Sequence, residues 1–264
     1  MGLTCQSCGK AVLQQKFNIK LQNPDELVIA LAGNPNVGKS TVFNALTGLN
    51  QHTGNWPGKT VANARGSYTH RGKKFALVDL PGTYSLLANS VEEQVARDFI
   101  CFGKPHATIV VTDATCLERN LNLVLQVVEL TDKVILCVNL MDEAIRKGIA
   151  VDIKGLEKEL GIPVVATTAR SGKGLDNLMD QVHNIALGIE TTSPLLLKYP
   201  TEIEDEIRRL VPQLEPLLDD KLDARWVALR LIEGDPTILQ SIQQFLYAES
   251  YLDADMEVAC VYDC

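Results

Sequence analysis

Along the first two thirds of the chain, short apolar runs alternate with longer segments that are apolar on one face only. Leu27–Ala32, Phe75–Val78, Val134–Val138 and Val164–Ala166 have the length of buried strands. Between them, Thr41–Leu46, Val91–Phe102, Leu117–Leu130, Ile153–Leu160 and Leu175–Ala186 read as helices. The alternation predicts an α/β domain with a mostly parallel sheet and helices on both faces. The exception is the pair Val61–Thr69 and Lys74–Leu80, which the turn His70-Arg71-Gly72-Lys73 joins as an antiparallel hairpin. After about Gly188 the alternation stops. Ile203, Ile207, Leu210, Val211, Leu214 and Leu218 recur at helical spacing. Asp235 and Pro236 fit the cap and first turn of a further helix carrying Ile238, Leu239, Ile242, Phe245 and Leu246. A small all-helical unit is expected there.

The first strand runs into Gly33-Asn34-Pro35-Asn36-Val37-Gly38-Lys39-Ser40, followed by Thr41 and a helix. This is G-x-x-x-x-G-K-[ST] in the strand–loop–helix setting that a phosphate-binding loop requires. Successive backbone N–H groups and the helix N-terminus converge there on an anion. Gly33 and Gly38 let the backbone approach the phosphates, Lys39 would span the β- and γ-phosphates, and the Ser40 hydroxyl would hold Mg²⁺.

A second motif, Asn139-Leu140-Met141-Asp142, closes the run Val134–Val138 and names the base. Guanine offers N1–H and an exocyclic NH₂ side by side, and the Asp142 carboxylate accepts both. Adenine offers neither, leaving that carboxylate unpaired at a cost of a few kcal/mol. Asn139 would contact the O6/N7 edge and tie its loop to the phosphate loop. Leu140 stands where a Lys is usual, so stacking of a Lys stem over the base is lost. Thr168-Ala169-Arg170 resembles the loop whose backbone N–H meets the guanine O6. A third motif, Asp79-Leu80-Pro81-Gly82, would bind a water on Mg²⁺ through Asp79 and sense the γ-phosphate through the Gly82 N–H. Between them, Gly54-Asn55-Trp56-Pro57-Gly58-Lys59-Thr60 has the Gly/Pro density of a mobile loop, with Thr60 the natural second hydroxyl ligand to Mg²⁺. Five elements in this order, each at a strand's carboxyl end, imply a GTPase domain taking GTP to GDP and phosphate.

Composition narrows the partners. Residues 190–264 hold 16 Asp/Glu against 6 Lys/Arg, a net of −10, which leaves +2 for residues 1–189 of a chain whose total is −8. The acidic tail reads as a solvated helical face or as a docking surface. No basic patch of the kind that neutralises nucleic-acid phosphates is present, so a nucleic-acid partner is not expected. No apolar run approaches the ~20 residues of a membrane helix, and no signal peptide precedes the core, so this chain is expected to be soluble.

GNPNVGKS, GNWPGKTV, DLPGTYS and NLMD together resemble the cytosolic domain of the ferrous iron transport protein B family, the Asn-Trp-Pro-Gly-x-Thr switch being the specific part. The similarity is strong over residues 24–187 and looser over the opening Met1 to Phe17 and the helical tail. The resemblance implies a P-loop GTPase fold with a mostly parallel six-stranded sheet and one antiparallel edge strand. It divides the chain into an N-terminal extension (1–23), a G domain (24–188) and a helical domain that modulates nucleotide release (189–264). It also implies a polytopic membrane domain for Fe²⁺, not in this chain, and a place on the cytoplasmic side of the membrane. A small cytosolic accessory protein and a homo-oligomer through the helical domain are further implied partners. Several relatives are activated by K⁺ through an Asn at the position of Asn36, with carbonyls of Gly54 and Trp56 completing the site. A soluble GTPase of ribosome assembly or tRNA modification is the alternative, though those append basic or tRNA-modifying modules that this tail is not.

Catalysis would be positioning plus electrostatics, with Lys39, Asn36, Thr60 and Gly82 around the γ-phosphate. Many GTPases orient the attacking water with a Gln after the motif's glycine; here Thr83 stands there, so hydrolysis is expected to be slow. Arg65 and Arg71 lie beyond the switch threonine and suit surface roles. Cys101, Cys116 and Cys137 are expected to pack as small hydrophobes. Cys5-x-x-Cys8 and Cys260-x-x-x-Cys264 remain open between a shared metal site, a separate redox or metal role, and inert tail residues.

Overall fold

The computed structural model describes residues 17, 19, 23, 25–48, 51–87, 90–219 and 221–247. The chain forms two compact units. Among the described residues, one runs from Phe17 to Leu196 and the other from Leu197 to Tyr247. The cysteine pairs near the termini, Cys5/Cys8 and Cys260/Cys264, lie outside the described residues.

The larger unit is built on one sheet. Its strands are β1 (Leu27–Gly33), β2 (Gln51–Asn55), β3 (Ala62–His70), β4 (Lys73–Asp79), β5 (Ala107–Asp113), β6 (Val134–Asn139) and β7 (Val164–Ala166), in the order β2-β3-β4-β1-β5-β6-β7. All neighbours from β4 to β7 pair in parallel. β3 runs against β4, and β2 runs against β3. Among the described residues the sheet is therefore mostly parallel with β3 the one reversed strand, but it has seven strands, not six, because β2 lies outside β3. Gln51–Asn55 (Gln-His-Thr-Gly-Asn) has no apolar alternation and becomes a strand by pairing Gly54 with Asn63 and Asn55 with Ala62. Gly54 and Asn55, expected in a loop, thus end a strand. The β3–β4 turn places Arg71 at φ 46° and Gly72 at φ 76°, the two positive values of a tight hairpin turn whose twist matches its strands.

The central strands are buried throughout: β5 shows only its last residue, Asp113, partly exposed, and β6 none. That is the composition of a parallel sheet covered on both faces. Helices α1 (Lys39–Thr47), α2 (Val91–Gly103), α3 (Leu117–Val128), α4 (Met141–Arg146), α5 (Ile153–Leu160) and α6 (Leu175–Ala186) connect the strands. Leu175, Leu178, Met179, Val182 and Ile185 of α6 enter the same core as Ile29, Leu31 and Ile109. Ser90 caps α2 by accepting the Glu93 N–H at 3.1 Å, and Asp152 caps α5 through the Gly155 N–H at 3.0 Å.

The smaller unit holds α7 (Thr201–Leu218), α8 (Ala224–Glu233) and a third helix, α9, over 236–247. Its core joins Ile207 to Ala228 and Leu229, with Ile203, Leu210, Val211 and Leu214 packed against it. Asp235 accepts the Thr237 N–H at 2.8 Å, so the Asp-Pro pair opens the third helix as a cap and first turn. Arg225 donates to both carboxylate oxygens of Glu204, at 2.7 and 2.8 Å, and to the Leu197 carbonyl at 2.9 Å. No helix among the described residues is long and apolar enough to cross a membrane.

Candidate nucleotide-binding site

The carboxyl ends of β1, β4 and β6 meet over the N-terminus of α1. Gly33 ends β1 where an added Cβ would come within 2.6 Å of the Val111 carbonyl oxygen, so only glycine fits. Gly38, the N-cap of α1, sits at φ 84°, and a Cβ there would meet the Asn139 amide nitrogen at 2.4 Å. Asn36 also takes a left-handed conformation, φ 67°, and is exposed. Two left-handed residues within three positions fold the loop back on itself, the turn that brings its N–H groups toward one anion. Ser40 and Thr41 are exposed at the first turn of α1.

Lys39 is 9% exposed. It donates to the Asp79 carboxylate and, at 2.6 Å, to the Leu80 carbonyl. Burial pushes the Asp79 carboxyl above its ordinary value, and the Lys39 ammonium opposes that without cancelling it. Leu80 N–H donates to the Leu31 carbonyl at 3.0 Å and Thr83 N–H to the Gly33 carbonyl at 3.2 Å, so the Asp79–Gly82 motif is laced to the phosphate loop. A Cβ on Gly82 would touch Pro35 at 3.4 Å. Thr83, the residue standing in the water-orienting position, is buried.

Asn139 joins three segments. Its Nδ2 donates to the Val37 carbonyl at 3.1 Å, while its Oδ1 accepts from Thr167 Oγ1 at 3.1 Å and from the Ala169 N–H at 3.0 Å. In the loop Thr168-Ala169-Arg170, read from sequence as resembling one whose backbone N–H meets guanine O6, Ala169 N–H goes to Asn139 and Thr168 N–H to the Lys173 carbonyl at 3.0 Å. Arg170 is exposed in the short 3₁₀ turn Ala169–Ser171. Leu140 adopts φ 63°, uncommon for a residue with a branched side chain, and caps α4. Nothing in its sequence position signals this. The turn carries Met141 and Asp142 into the first turn of α4, and Asp142 is exposed.

The switch segment is less assembled. Thr60, Gly58 and Lys59 are exposed, and Lys59 Nζ donates to Gln94 Oε1 at 3.3 Å. Trp56 is buried, and its carbonyl accepts the Lys59 N–H at 3.0 Å. That carbonyl closes its own turn, and Gly54 lies near the end of β2. The structure thus laces the phosphate loop, Asp79–Gly82, Asn139 and Ala169 together, while the switch threonine is exposed.

Residues 27–182 match the family model of ferrous iron transport protein B, and residues 199–257 match the FeoB cytosolic helical domain. The chain belongs to the ferrous iron transport protein B family. It is 43% identical to the Fe(2+) transporter FeoB of Methanocaldococcus jannaschii over 216 residues, which are 81% of this chain and 32% of that one. It is 38% identical over 211 residues to a Fe(2+) transport protein A/FeoB fusion protein of Porphyromonas gingivalis, covering 78% of this chain and 25% of the fusion. The chain thus spans a third or less of these relatives' length. The cytosolic domain of the T. maritima FeoB iron transporter in apo form is similar at 39% identity and a TM-score of 0.74, over 83% of this chain and 86% of that one. That T. maritima domain is also known in GDP and GMPPNP forms. Residues 27–182 are a FeoB GTPase domain, and the ribosome-assembly or tRNA-modification alternative is not favoured.

Two features departed from the sequence reading or escaped it. Cys101 and Cys137 are buried, and Cys137 has its thiol pushed up to about 12 by burial, but Cys116 is exposed. Cys116 is the N-cap residue of α3, ahead of the face that packs. Arg71 pairs with Asp180 at 2.8 Å, beside His70 Nε2 on the same carboxylate at 2.6 Å, pinning the hairpin to α6.

Proposed function

We propose that residues 24–188 of this chain bind and slowly hydrolyse GTP, and that the bound nucleotide regulates Fe²⁺ uptake by a membrane domain outside this chain. The observation that carries the reading is Asn139, whose one side chain holds the phosphate loop at Val37 and the base-side loop at Ala169. A ligand that fills such a site must have a base and phosphates at a fixed separation. Asp142, three residues on, selects guanine by accepting its two adjacent N–H groups.

The donor set fits Mg²⁺: Ser40 and Thr60 are exposed hydroxyls, and Asp79 is a carboxylate now paired with the lysine that the phosphates would take over. When bound, Mg²⁺ would supply positive charge to offset that of the phosphates. Lys39 then turns from Asp79 and the Leu80 carbonyl to the β- and γ-phosphates, and Gly82, against Pro35, offers its N–H to the γ-phosphate. Thr83 supplies no side-chain amide to orient water, and Arg71 is held by Asp180, so turnover is slow.

Asn36 suits a weakly hydrated monovalent cation, and K⁺ there would add charge where it develops in the transition state. The carbonyls of Gly54 and Trp56 would complete the site beside Asn36. Replacing Na⁺ with K⁺ at constant ionic strength should raise turnover several-fold, about 1.4 kcal/mol of barrier for each tenfold. Asn36→Ala should abolish the difference while GDP binding stays. Equal rates in Na⁺ and K⁺ would refute the cation assignment and leave the GTPase assignment standing.

Residues 189–264 serve as the helical domain that modulates nucleotide release, and a homo-oligomer would form through this domain. The fusion found in Porphyromonas gingivalis supports a small accessory protein as a further partner on the cytoplasmic side of the membrane.

A further inference from the structure

Trp56 lies in a stretch of Gly, Pro, Lys and Asn whose other members, Gly54, Asn55 and Pro57–Thr60, are exposed; yet the indole is 3% exposed. Two rings enclose it. Phe17, from the segment preceding β1, stands 6.1 Å away at 89°, and Phe99 of α2 stands 5.5 Å away at 63°. Phe17 and Phe99 meet each other at 5.1 Å and 78°, so the three rings form a closed edge-to-face cluster. The backbone is pinned beside it: Trp56 N–H donates to the Val61 carbonyl at 2.9 Å, and its carbonyl accepts from Lys59. Lys59 reaches Gln94, on the same helix as Phe99.

The indole N–H, however, is buried with no hydrogen-bond partner among the described residues. A buried indole ordinarily finds one, and leaving a donor unpaired opposes burial. Ring packing holds Trp56 here against that cost, and leaving the pocket would return the N–H to water. In this arrangement Thr60, the hydroxyl that closure over a γ-phosphate would draw in, is exposed.

We propose that Phe17 is a positioning residue for the switch: with Phe99 it locks Trp56 in the resting arrangement, so that GTP, but not GDP, must open the aromatic cluster to bind in full. This rests on the guanine-nucleotide reading above. Weakening the lock lowers the cost of closure, and only the triphosphate gains from it.

The chain has two tryptophans, and Trp226 lies in the smaller unit, so Trp226→Phe leaves Trp56 as the single reporter. In that background Trp56 should emit as a buried indole with GDP and shift to the red with a non-hydrolysable GTP analogue and Mg²⁺. Adding Phe17→Ala should tighten the analogue by about 2- to 10-fold, the worth of an aromatic pair, while GDP affinity holds. Phe17→Leu, which keeps the volume filled, should give a smaller rise of the same sign and carries the test if the alanine variant does not fold. Equal change in both nucleotides, no change in either, or the same Trp56 emission with GDP and analogue would overturn the proposal. Failure of the unmodified protein to bind GDP at all would instead overturn the nucleotide reading beneath it.

Discussion

Asn139 uses both ends of its amide inside the protein, and Gly38 exists in the form it does because of that side chain. A methyl group on Gly38 would enter the space of Nδ2, and the φ of 84° would be strained for alanine in addition. Gly38→Ala should therefore break the Asn139–Val37 bond, costing about 1 kcal/mol for the bond and about 1–2 kcal/mol for the backbone. The expected result is a lower melting temperature and a GDP affinity reduced by tenfold or more, read by thermal melting and titration calorimetry. A variant with unchanged GDP affinity would show that the amide bridge does not shape the site. The glycines and Asn139 were legible from spacing, since each residue type answers a steric or hydrogen-bonding need. Leu140 at φ 63° was not, because the strain is imposed by neighbours: Met141 N–H reaches back to the Thr167 carbonyl at 3.2 Å, which fixes the turn whatever residue stands there.

Among elements, α5 and α6 could be bounded from sequence alone, Ile153–Leu160 and Leu175–Ala186, because each presents one apolar stripe and ends at a clear break. β2 could not, since five residues without apolar alternation owe their extension to β3. The Phe17–Trp56–Phe99 cluster was equally hidden, being assembled from three segments far apart in sequence. The α7–α8 pair carries a pH dependence. Hydrogen bonds from Arg225 first, then from the Tyr199 N–H, hold the Glu204 carboxyl down at about 2, against an ordinary value of 4.5. A depressed carboxyl adds stability that is present above its unfolded value and lost as pH falls toward the folded one. The helical unit should lose stability between pH 4.5 and about 2, and Glu204→Gln should remove that component of the acid transition. Circular dichroism melts across the window would read it; an identical acid profile for the variant would contradict the assignment.

At the scale of the whole molecule, an acidic helical unit follows a G domain of small positive charge, and both match one transporter family across residues 27–182 and 199–257. The order of the motifs made the fold and the nucleotide legible. The state of the switch was not, because it depends on the packing of Phe17, Trp56 and Phe99 from three separate segments. The central claim is that guanine nucleotide is the ligand, read through Asp142 in the first turn of α4. Asp142→Asn turns one acceptor into a donor, facing the guanine NH₂ with an NH₂ of its own. Xanthine carries a carbonyl at that place and retains N1–H, so the variant's amide complements it. Titration of both proteins with GDP and xanthosine diphosphate is therefore the most direct measurement. The variant should lose about 2–4 kcal/mol toward GDP, roughly 30- to 1,000-fold, and prefer xanthosine diphosphate. A variant that binds GDP as tightly as the parent would contradict the account.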